Sequence, residues 1–217
     1  MLRRTLRSGP LTMLFESGRL RLSYAGEELT SFVHAYASML IANLWNDSSA
    51  LQWDPVRRTG ERIEATGHSR RFPFRQHWTL ELTEGGVAWR IELEVDEPLD
   101  VQEYHASVAL RGDYARWQTD HEAGVFPSTE PGREDWRHLN RDYAPGRFIR
   151  AVDSGLPAVS LCADAEEPRF SMTPVNAGHS QGCRVLQALR TAEAGLLHFT
   201  PGRHLYFAGR ILAGPKD

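Results

Sequence analysis

The sequence predicts an all-β protein, a single large antiparallel β-sandwich with one long, aromatic-rich loop. Two observations support this prediction: strict alternation of apolar and polar residues over 74–95, and short strand-like segments that recur along the chain with turn residues between them. Alternation gives a strand one buried and one polar face, and regularly spaced short strands are typical of sandwiches and barrels. We expect residues 1–13 to form a loose N-terminal arm and residues 14–217 to form one domain.

Two segments near the N-terminus predict the first elements. Residues 14–24 alternate apolar and polar side chains around a turn at Ser17-Gly18, which predicts a hairpin. Residues 29–44 fit two elements. Thr30 is a suitable helix cap and β-branched residues are few, which favours a helix. The long apolar run between predicted strands fits a buried strand equally well.

The clearest element is a β-hairpin over residues 74–95. Gly85-Gly86 suits a two-residue turn that needs positive φ. In the register that this turn sets, His77 lies opposite Glu94, and such opposite charges stabilise a strand pair by roughly 0.2–1 kcal/mol. A turn one residue earlier places Glu92 opposite His77 instead. Both registers keep the same side chains on the polar face.

The rest of the chain predicts further strands and one long loop. A strand over 101–110 follows a short connection, so we expect an antiparallel meander that brings Glu103 and His105 beside the polar face of the hairpin. Residues 113–147 carry aromatic residues among charges, glycines and prolines without sustained periodicity. A loop this long in a compact domain is usually either functional or wrongly assigned as a loop. The remaining predicted strands are 61–66, 148–152, 158–162, 169–172, 184–189 and 204–208.

The composition argues against several classes of function. With 25 basic and 28 acidic residues the formal net charge is −3, so nothing favours nucleic acid or an anionic membrane as a partner. We find no signal peptide or apolar membrane span and expect a cytoplasmic protein. The only lysine, Lys216, argues against Schiff-base chemistry. Cys162 and Cys183 predict two reduced thiols.

The polar face of the predicted meander is the first candidate site. A histidine beside carboxylates suits acid/base work, because its pKa lies near neutrality and its neighbours tune it. An antiparallel sheet often has one solvated face lined with ion pairs, so a face without a ligand is the alternative. The candidate catalytic residues are His77, Glu92, Glu94 and His105, and the candidate ligand contacts on this face are Arg75, Arg90 and Glu103.

Aromatic residues define two further candidate sites. Trp45, Asp47 and Trp53 flank a turn and have the composition of a sugar subsite, in which indoles stack on the ring and short polar groups bind the hydroxyls. The alternative is that both tryptophans belong to the core. Tyr114 and Trp117, in the long loop, could form a lid over a pocket or pack on the sandwich.

No motif predicts a metal ion or a cofactor. His77, His105 and a glutamate on adjacent strands could meet a zinc ion, but the sequence has neither an HxH nor an HExxH motif, and we predict no metal. We expect no nucleophile elbow of the GxSxG type, which argues against Ser/His/Asp catalysis. We also expect no glycine-rich phosphate loop followed by a helix, and we predict no cofactor.

Short segments spread along the chain form a recognisable series. They are Gly18-Arg19-Leu20-Arg21-Leu22, Glu28-Leu29-Thr30, Leu44-Trp45-Asn46-Asp47-Ser48, Trp53, Gln76-His77-Trp78, Val87-Ala88-Trp89, Tyr114 with Trp117, Phe126-Pro127 and Pro201-Gly202-Arg203-His204-Leu205-Tyr206-Phe207. In type and order, over residues 14–212, they resemble the large bacterial β-sandwich domains of the galactose mutarotase-like, carbohydrate-associated kind. This resemblance implies a supersandwich fold with a polar concave sheet, often carrying a His and a Glu, against a sugar ring. It points to His77 with Glu94 or Glu92.

These observations leave three candidate functions. The first is a carbohydrate-binding or carbohydrate-modifying sandwich that uses the polar sheet face. The second is a cofactor-independent acid/base tailoring enzyme of bacterial specialised metabolism, which would catalyse a cyclisation, elimination or isomerisation in an enclosed apolar cavity. The third is a non-catalytic accessory domain with a protein partner. The first two predict a small-molecule ligand, which for the first is a sugar.

Overall fold

The computed structural model describes residues 3–128, 136–153, 155–165, 169–177 and 182–216. The regular elements in this part of the chain are strands, apart from one short 3-10 helix at Ser48–Ala50. In chain order the strands are β1 Arg3–Ser8, β2 Leu11–Glu16, β3 Arg19–Tyr24, β4 Glu27–Glu28, β5 Thr30–Ile41, β6 Leu44–Asp47, β7 Gln52–Trp53, β8 Arg57–Thr59, β9 Arg62–His68, β10 Phe74–Thr83, β11 Gly86–Val95, β12 Leu99–Val101, β13 Glu103–Arg111, β14 Arg116–Thr119, β15 Ala123–Val125, β16 Trp136–His138, β17 Pro145–Gly146, β18 Phe148–Asp153, β19 Leu156–Ala163, β20 Phe170–Ala177, β21 Cys183–Thr191, β22 Leu197–Phe199 and β23 Gly202–Lys216.

Two large antiparallel sheets form the molecule. Sheet A runs in the order β1-β2-β3-β5-β13-β21-β20-β16, with β4, β6 and β17 attached at its sides. Sheet B runs in the order β15-β14-β18-β19-β23-β11-β10-β9-β7, with β8 paired to β9. Strands β12 and β22 form a separate pair. The predicted all-β sandwich is therefore confirmed.

The core lies between the two sheets and contains an unbroken row of aromatic side chains. The ring centroids of Phe15, Trp53, Trp78, Trp89 and Phe207 follow one another at separations of 5.3, 5.4, 5.1 and 5.3 Å. Burying one large apolar side chain stabilises a fold by about 1.5–3 kcal/mol. The alternation in the sequence therefore places the tryptophans of β10 and β11 in the core, where their burial stabilises the fold.

The hairpin over 74–95 is confirmed, but the preferred register is wrong. The turn is Glu84-Gly85, with φ of +76° at Gly85, so His77 lies opposite Glu92. Gly86 is instead the first residue of β11, where an added Cβ would lie 2.7 Å from the carbonyl oxygen of Ile211 on β23. Gly86 is thus required for close approach of β23, a tertiary constraint that the local sequence does not carry.

The ambiguous segment at 29–44 is a strand. Thr30–Ile41 forms β5 at the centre of sheet A, and a two-residue turn with positive φ at Ala42 and Asn43 leads directly into β6. His34, with φ of +64°, lies where the pairing with β13 shifts register. Burial in the middle of a sheet has outweighed the helix propensity of this segment.

The meander predicted for residues 74–110 is wrong, because β13 does not pair with the hairpin. β13 lies in sheet A between β5 and β21, with Ala106 opposite Ala37 on one side and Ala188 on the other. The connection after β11 passes from sheet B to sheet A through β12. Alternation assigns faces to a strand, but it does not say in which sheet the strand lies.

The first residues of the described chain also depart from prediction. Instead of a loose arm, Arg3–Ser8 pairs along its whole length with β2, and Leu6 and Leu11 are buried. The apolar side chains that alternate here give the strand a face to bury. The long loop at 113–147 contains the short strands β14 to β17, and residues 129–135 of it lie outside the described residues.

Candidate functional site

The two histidines of the predicted polar face lie on different sheets. His77 is on β10 of sheet B, and His105 is on β13 of sheet A. Their neighbours along the strands, Trp78 and Tyr104, point into the core between the sheets. Because successive side chains in a strand alternate, both histidines point outward on opposite sides of the sandwich. The single polar surface predicted from the sequence is therefore two separate surfaces.

On sheet B, His77 is part of an ion-pair network. Its Nδ1 lies 3.1 Å from Oγ1 of Thr66, and its Nε2 lies 2.7 Å from Oε2 of Glu94. Both ring nitrogens therefore have partners. Arg75 and Arg203 also approach Glu94. The hydrogen bond with His77 and then these arginines lower the pKa of the Glu94 carboxyl.

On sheet A, a cavity of about 500 Å³ opens at the outer face. Volumes of about 300–1,000 Å³ are typical of small-molecule sites. Strands β5, β13 and β21 form the floor, and β6 and β16 contribute the sides. The polar and aromatic residues that line the cavity are Arg19, Tyr36, Ser38, Trp45, Asp47, Ser49, Glu103, His105, Trp136, His138 and Gln187.

His105 lies at the floor of this cavity and is only 4% exposed. Its Nδ1 is 2.9 Å from Oγ of Ser107, and Nε2 makes no hydrogen bond with any described residue. Burial lowers the pKa of His105 to about 3, with a smaller contribution from His138. At neutral pH the ring is therefore uncharged, with one nitrogen left to bind a ligand.

Two aromatic rings surround His105. The Trp45 ring centroid lies 5.3 Å from that of His105, and Tyr36 meets the imidazole edge-on at 5.6 Å. Tyr36 is buried, whereas 49% of Trp45 remains exposed. A tight turn at Ala42 and Asn43 presents Trp45 at this position, since it folds β6 back on β5. The exposed indole gives the cavity a flat apolar surface.

The opposite sheet contributes to the position of His105. Oη of Tyr206, on β23 of sheet B, lies 2.7 Å from the carbonyl oxygen of Ser38 and 2.9 Å from that of His105. Tyr206 is fully buried. Its hydroxyl therefore crosses the core and shares its single proton between the carbonyl oxygens of Ser38 on β5 and His105 on β13, beneath the cavity.

Titratable side chains line the remainder of the cavity. Asp47 accepts a hydrogen bond from Ser38, and Glu103 makes no hydrogen bond or ion pair with the described part of the chain. Burial raises the pKa of Glu103 and lowers that of His138. Nδ1 of His138 lies 2.8 Å from the hydroxyl of Tyr143. Carboxyl and imidazole groups therefore share one enclosed volume.

The structure separates the predicted site residues into three places. Four of them, Trp45, Asp47, Glu103 and His105, line the cavity on sheet A. Those on the outer face of sheet B are Arg75, His77, Arg90, Glu92 and Glu94, where Arg90 pairs with Glu92. The other three, Trp53, Tyr114 and Trp117, are buried.

The buried aromatic residues have structural partners. Nε1 of Trp53 donates to the carbonyl oxygen of Ser48 at 2.8 Å, and the hydroxyl of Tyr114 donates to that of Pro157 at 2.7 Å. Trp117 packs so closely on Gly124 that an added Cβ there would lie 2.6 Å from the indole. None of the three is an exposed lid or rim.

Several lining residues of the cavity were given no role in a site by the sequence analysis, among them Tyr36, Gln187 and His138. Tyr36 and Gln187 alternate with core residues on β5 and β21, and that alternation was the available signal. Trp136 and His138 lie on β16, which pairs with β20. His138 is half-buried in the cavity wall.

The expectation that the chain has no GxSxG motif is wrong. Residues 178–182 read Gly-His-Ser-Gln-Gly, and residues 178–181 lie outside the described residues. The flanking strands β20 and β21 are antiparallel neighbours, with Ala177 opposite Cys183. The described elements on either side of the motif are thus both β-strands, whereas a nucleophile elbow lies between a strand and a helix.

The described residues hold no group of three or more His, Cys, Asp or Glu side chains arranged to hold a metal ion. The zinc site considered above cannot form, since His77 and His105 lie on different sheets. In the same part of the chain, no helix is long and apolar enough to cross a membrane. Cys162 and Cys183 are both free thiols.

The fold is that of galactose mutarotase-related proteins, and the resemblance seen in the sequence is confirmed at that level. No protein-family model matches the chain, and no curated protein matches it significantly. The evidence for the fold therefore comes from solved structures.

Three solved structures show the extent of the similarity. A galactose mutarotase related enzyme from Lactobacillus acidophilus has a TM-score of 0.69 at 8% identity, over 99% of this chain and 98% of that one. A candidate aldose 1-epimerase from Escherichia coli K12 has a TM-score of 0.65 at 10% identity, over 99% of both chains. A galactose mutarotase-like protein from Lactobacillus casei has a TM-score of 0.58 at 9% identity, over 97% of this chain and 99% of that one.

Proposed function

We propose that the cavity on sheet A binds a carbohydrate, and that the protein is a carbohydrate-binding or carbohydrate-modifying β-sandwich. The observation that carries this proposal is the half-exposed indole of Trp45 above the buried ring of His105, beside Asp47 and Glu103. An exposed indole offers a stacking surface to the C–H-rich face of a sugar. Carboxylate oxygens and a free imidazole nitrogen are suitable partners for its hydroxyls.

The same groups fit interconversion of the anomers of an aldose. Opening a cyclic hemiacetal removes a proton from the O1 hydroxyl and delivers a proton to the ring oxygen, and closing reverses both transfers. Burial raises the pKa of Glu103 towards neutrality, which suits a group that exchanges protons. Asp47 supplies a second carboxyl group in the same cavity. The names of the structurally similar mutarotase and epimerase proteins support this reaction type.

The second candidate is the acid/base tailoring enzyme, and one observation favours it. Val33, Ala109, Cys183 and Val185 line one part of the cavity, and three of these belong to a small apolar cluster outside the main core with Val33 packed against it. Such a wall suits a less polar substrate than a free sugar. Binding of apolar metabolites in the absence of sugar binding would favour this candidate.

The first test is binding of the purified protein to a panel of sugars by ligand-detected NMR. Trp45→Ala removes the stacking surface, and His105→Asn removes the free Nε2 while an amide oxygen remains near the Ser107 hydroxyl. The matched control is His77→Asn, which makes the same substitution on the outer face of sheet B.

We expect sugar signals of similar strength with the wild type and with His77→Asn, and clearly weaker signals with Trp45→Ala and His105→Asn. Saturation-transfer signals that survive in both cavity variants, but disappear in His77→Asn, would move the site to sheet B. If no sugar binds to the wild type, the carbohydrate proposal fails. Variants that bind should next be assayed for exchange between anomers.

A further inference from the structure

A line of buried polar side chains lies beneath the cavity. Nε2 of Gln187 on β21 donates to Oγ of Ser107 on β13 at 3.4 Å, and Oγ of Ser107 lies 2.9 Å from Nδ1 of His105. Ser107 and Gln187 are directly opposite in the strand pairing. All three side chains are at most 4% exposed. Hydrogen bonds offset part of the cost of burying these groups, whereas Oε1 of Gln187 makes none with the described residues.

The donors around Ser107 determine where its proton points. A serine hydroxyl has one proton to donate and two lone pairs to accept. The amide of Gln187 occupies one lone pair. The proton of a fully buried hydroxyl needs an acceptor, and Nδ1 of His105 lies 2.9 Å from Oγ of Ser107. The single proton of Ser107 is therefore directed to Nδ1 of His105.

We infer that Gln187 and Ser107 are positioning residues that hold His105 in the tautomer protonated at Nε2. In this tautomer Nδ1 accepts the Ser107 proton, and Nε2–H is presented to the cavity as a hydrogen-bond donor. The inference deepens the proposed function, since it gives His105 a specific role towards an oxygen of the ligand. It can be tested without any ligand.

This arrangement assigns different roles to His105 and to the carboxyl groups. A neutral imidazole that donates from Nε2 polarises a ligand oxygen and keeps its proton, because losing it would leave an imidazolate. Low basicity of His105, which follows from its burial, also makes it a poor acceptor of a proton. Proton exchange with a ligand then falls to Glu103 and Asp47, which lie in the same cavity.

The experiment is a long-range proton–nitrogen correlation NMR spectrum of the uniformly ¹⁵N-labelled protein without ligand, at neutral pH. Protonated and bare imidazole nitrogens differ widely in chemical shift, so the spectrum reads the tautomer directly. The His105 signals are assigned by their disappearance in His105→Asn. We expect a protonated Nε2 and a bare Nδ1, with a pattern that persists to mildly acidic pH.

Two variants test the positioning residues. Ser107→Ala removes the donor to Nδ1, and Gln187→Met removes the amide while keeping the side-chain length. We expect the His105 nitrogen shifts to move towards each other in both variants, as the two tautomers become mixed. Thr66→Ala is the matched control, because it removes a hydroxyl from Nδ1 of His77 on sheet B and should leave the His105 signals unchanged.

A wild-type spectrum with a bare Nε2, with averaged nitrogen shifts, or with a doubly protonated ring at neutral pH would overturn the inference. If the His105 nitrogen shifts are unchanged in a folded Gln187→Met protein, Gln187 is not a positioning residue. If Ser107→Ala does not fold, the tautomer of His105 in the wild-type spectrum still tests the inference. The sugar panel is a separate readout, so failure of the proposed function and failure of this inference are distinguishable.

Discussion

The outer faces of the two sheets each carry a histidine beside a hydroxyl group, and they differ at the second ring nitrogen. On sheet B, Thr66 meets Nδ1 of His77 and Glu94 meets Nε2, so the ring has no free position. On sheet A, Ser107 meets Nδ1 of His105, and Nε2 faces a cavity without a described partner. On sheet B the histidine and its glutamate therefore form a structural pair, whereas on sheet A a histidine and a glutamate line a candidate site.

The largest effect that we expect is a difference in kcat between a variant on the outer face of sheet A and the matched variant on sheet B. If the cavity converts a sugar, His105→Asn should lower kcat by about 100-fold or more, since removing one positioned donor commonly costs 10²–10³. His77→Asn should leave kcat within about twofold. Anomer exchange followed by NMR or polarimetry measures both. Equal losses in the two variants would contradict the distinction between the faces.

The second effect concerns the dependence of stability on pH. The pKa of His105 is lowered to about 3 in the folded chain, against about 6.5 unfolded. Above pH 6.5 the residue is neutral in both states. Between these two values the unfolded chain binds a proton that the folded chain does not, so stability falls as pH falls, by up to about 1.4 kcal/mol per pH unit.

His105→Asn should remove this contribution. We expect the wild type to lose about 1 kcal/mol more than the variant between about pH 7.5 and pH 5.5, as measured by urea unfolding at each pH. His138 and His34, whose pKa values are also lowered by burial, are present in both proteins and cancel. Identical pH slopes in the two proteins would show that His105 titrates normally.

A smaller effect should follow from Trp45→Ala. An aromatic contact contributes about 0.5–1.5 kcal/mol beyond the area it buries, so we expect sugar affinity to fall by roughly twofold to thirteenfold. Thermal stability should change little, because about half of the indole is exposed. Titration by NMR and a thermal melt measure the two quantities. A large loss of stability would mean that Trp45 is a core residue.

The smallest effect is expected at Glu94. Its pKa is lowered in the fold by the hydrogen bond with His77, so the stabilisation is present above the unfolded pKa of about 4.3. It is lost as pH falls through the lower folded value. Glu94→Gln should therefore cost less than about 1 kcal/mol at neutral pH, as surface ion pairs do. Urea unfolding at pH 7 measures this cost, and sugar binding should remain intact.

The sequence predicted which face of each strand is buried more reliably than it predicted which strands pair with one another. Alternation correctly gave the buried and polar sides of β10, β11 and β13, because side-chain direction is a local property of a strand. It did not give the register of the hairpin, which depends on the approach of β23 to Gly86. It also did not give the sheet to which β13 belongs, because that depends on pairing with β5 and β21.

The candidate site was predicted in pieces. Trp45 with Asp47, and Glu103 with His105, were assigned to separate clusters, and the structure brings them to one cavity. The sequence analysis lacked the long-range pairing of the strands. The two pairs of residues become neighbours only because β6 folds back on β5 and β13 pairs with β5. Aromatic composition alone did not distinguish the exposed Trp45 from the buried Trp53.

The position of β13 has a consequence for how the protein folds. Its partners β5 and β21 lie far from it along the chain, and sheet B likewise closes through β23, the last strand. Proteins dominated by such non-local pairings fold slowly, since loop-closure entropy must be overcome before the contacts form. The cavity floor therefore assembles late, and no short contiguous fragment contains its three strands. Nascent chains should acquire binding only after β23 has been synthesised and has left the ribosome, and loss of β23 should abolish folding and binding together.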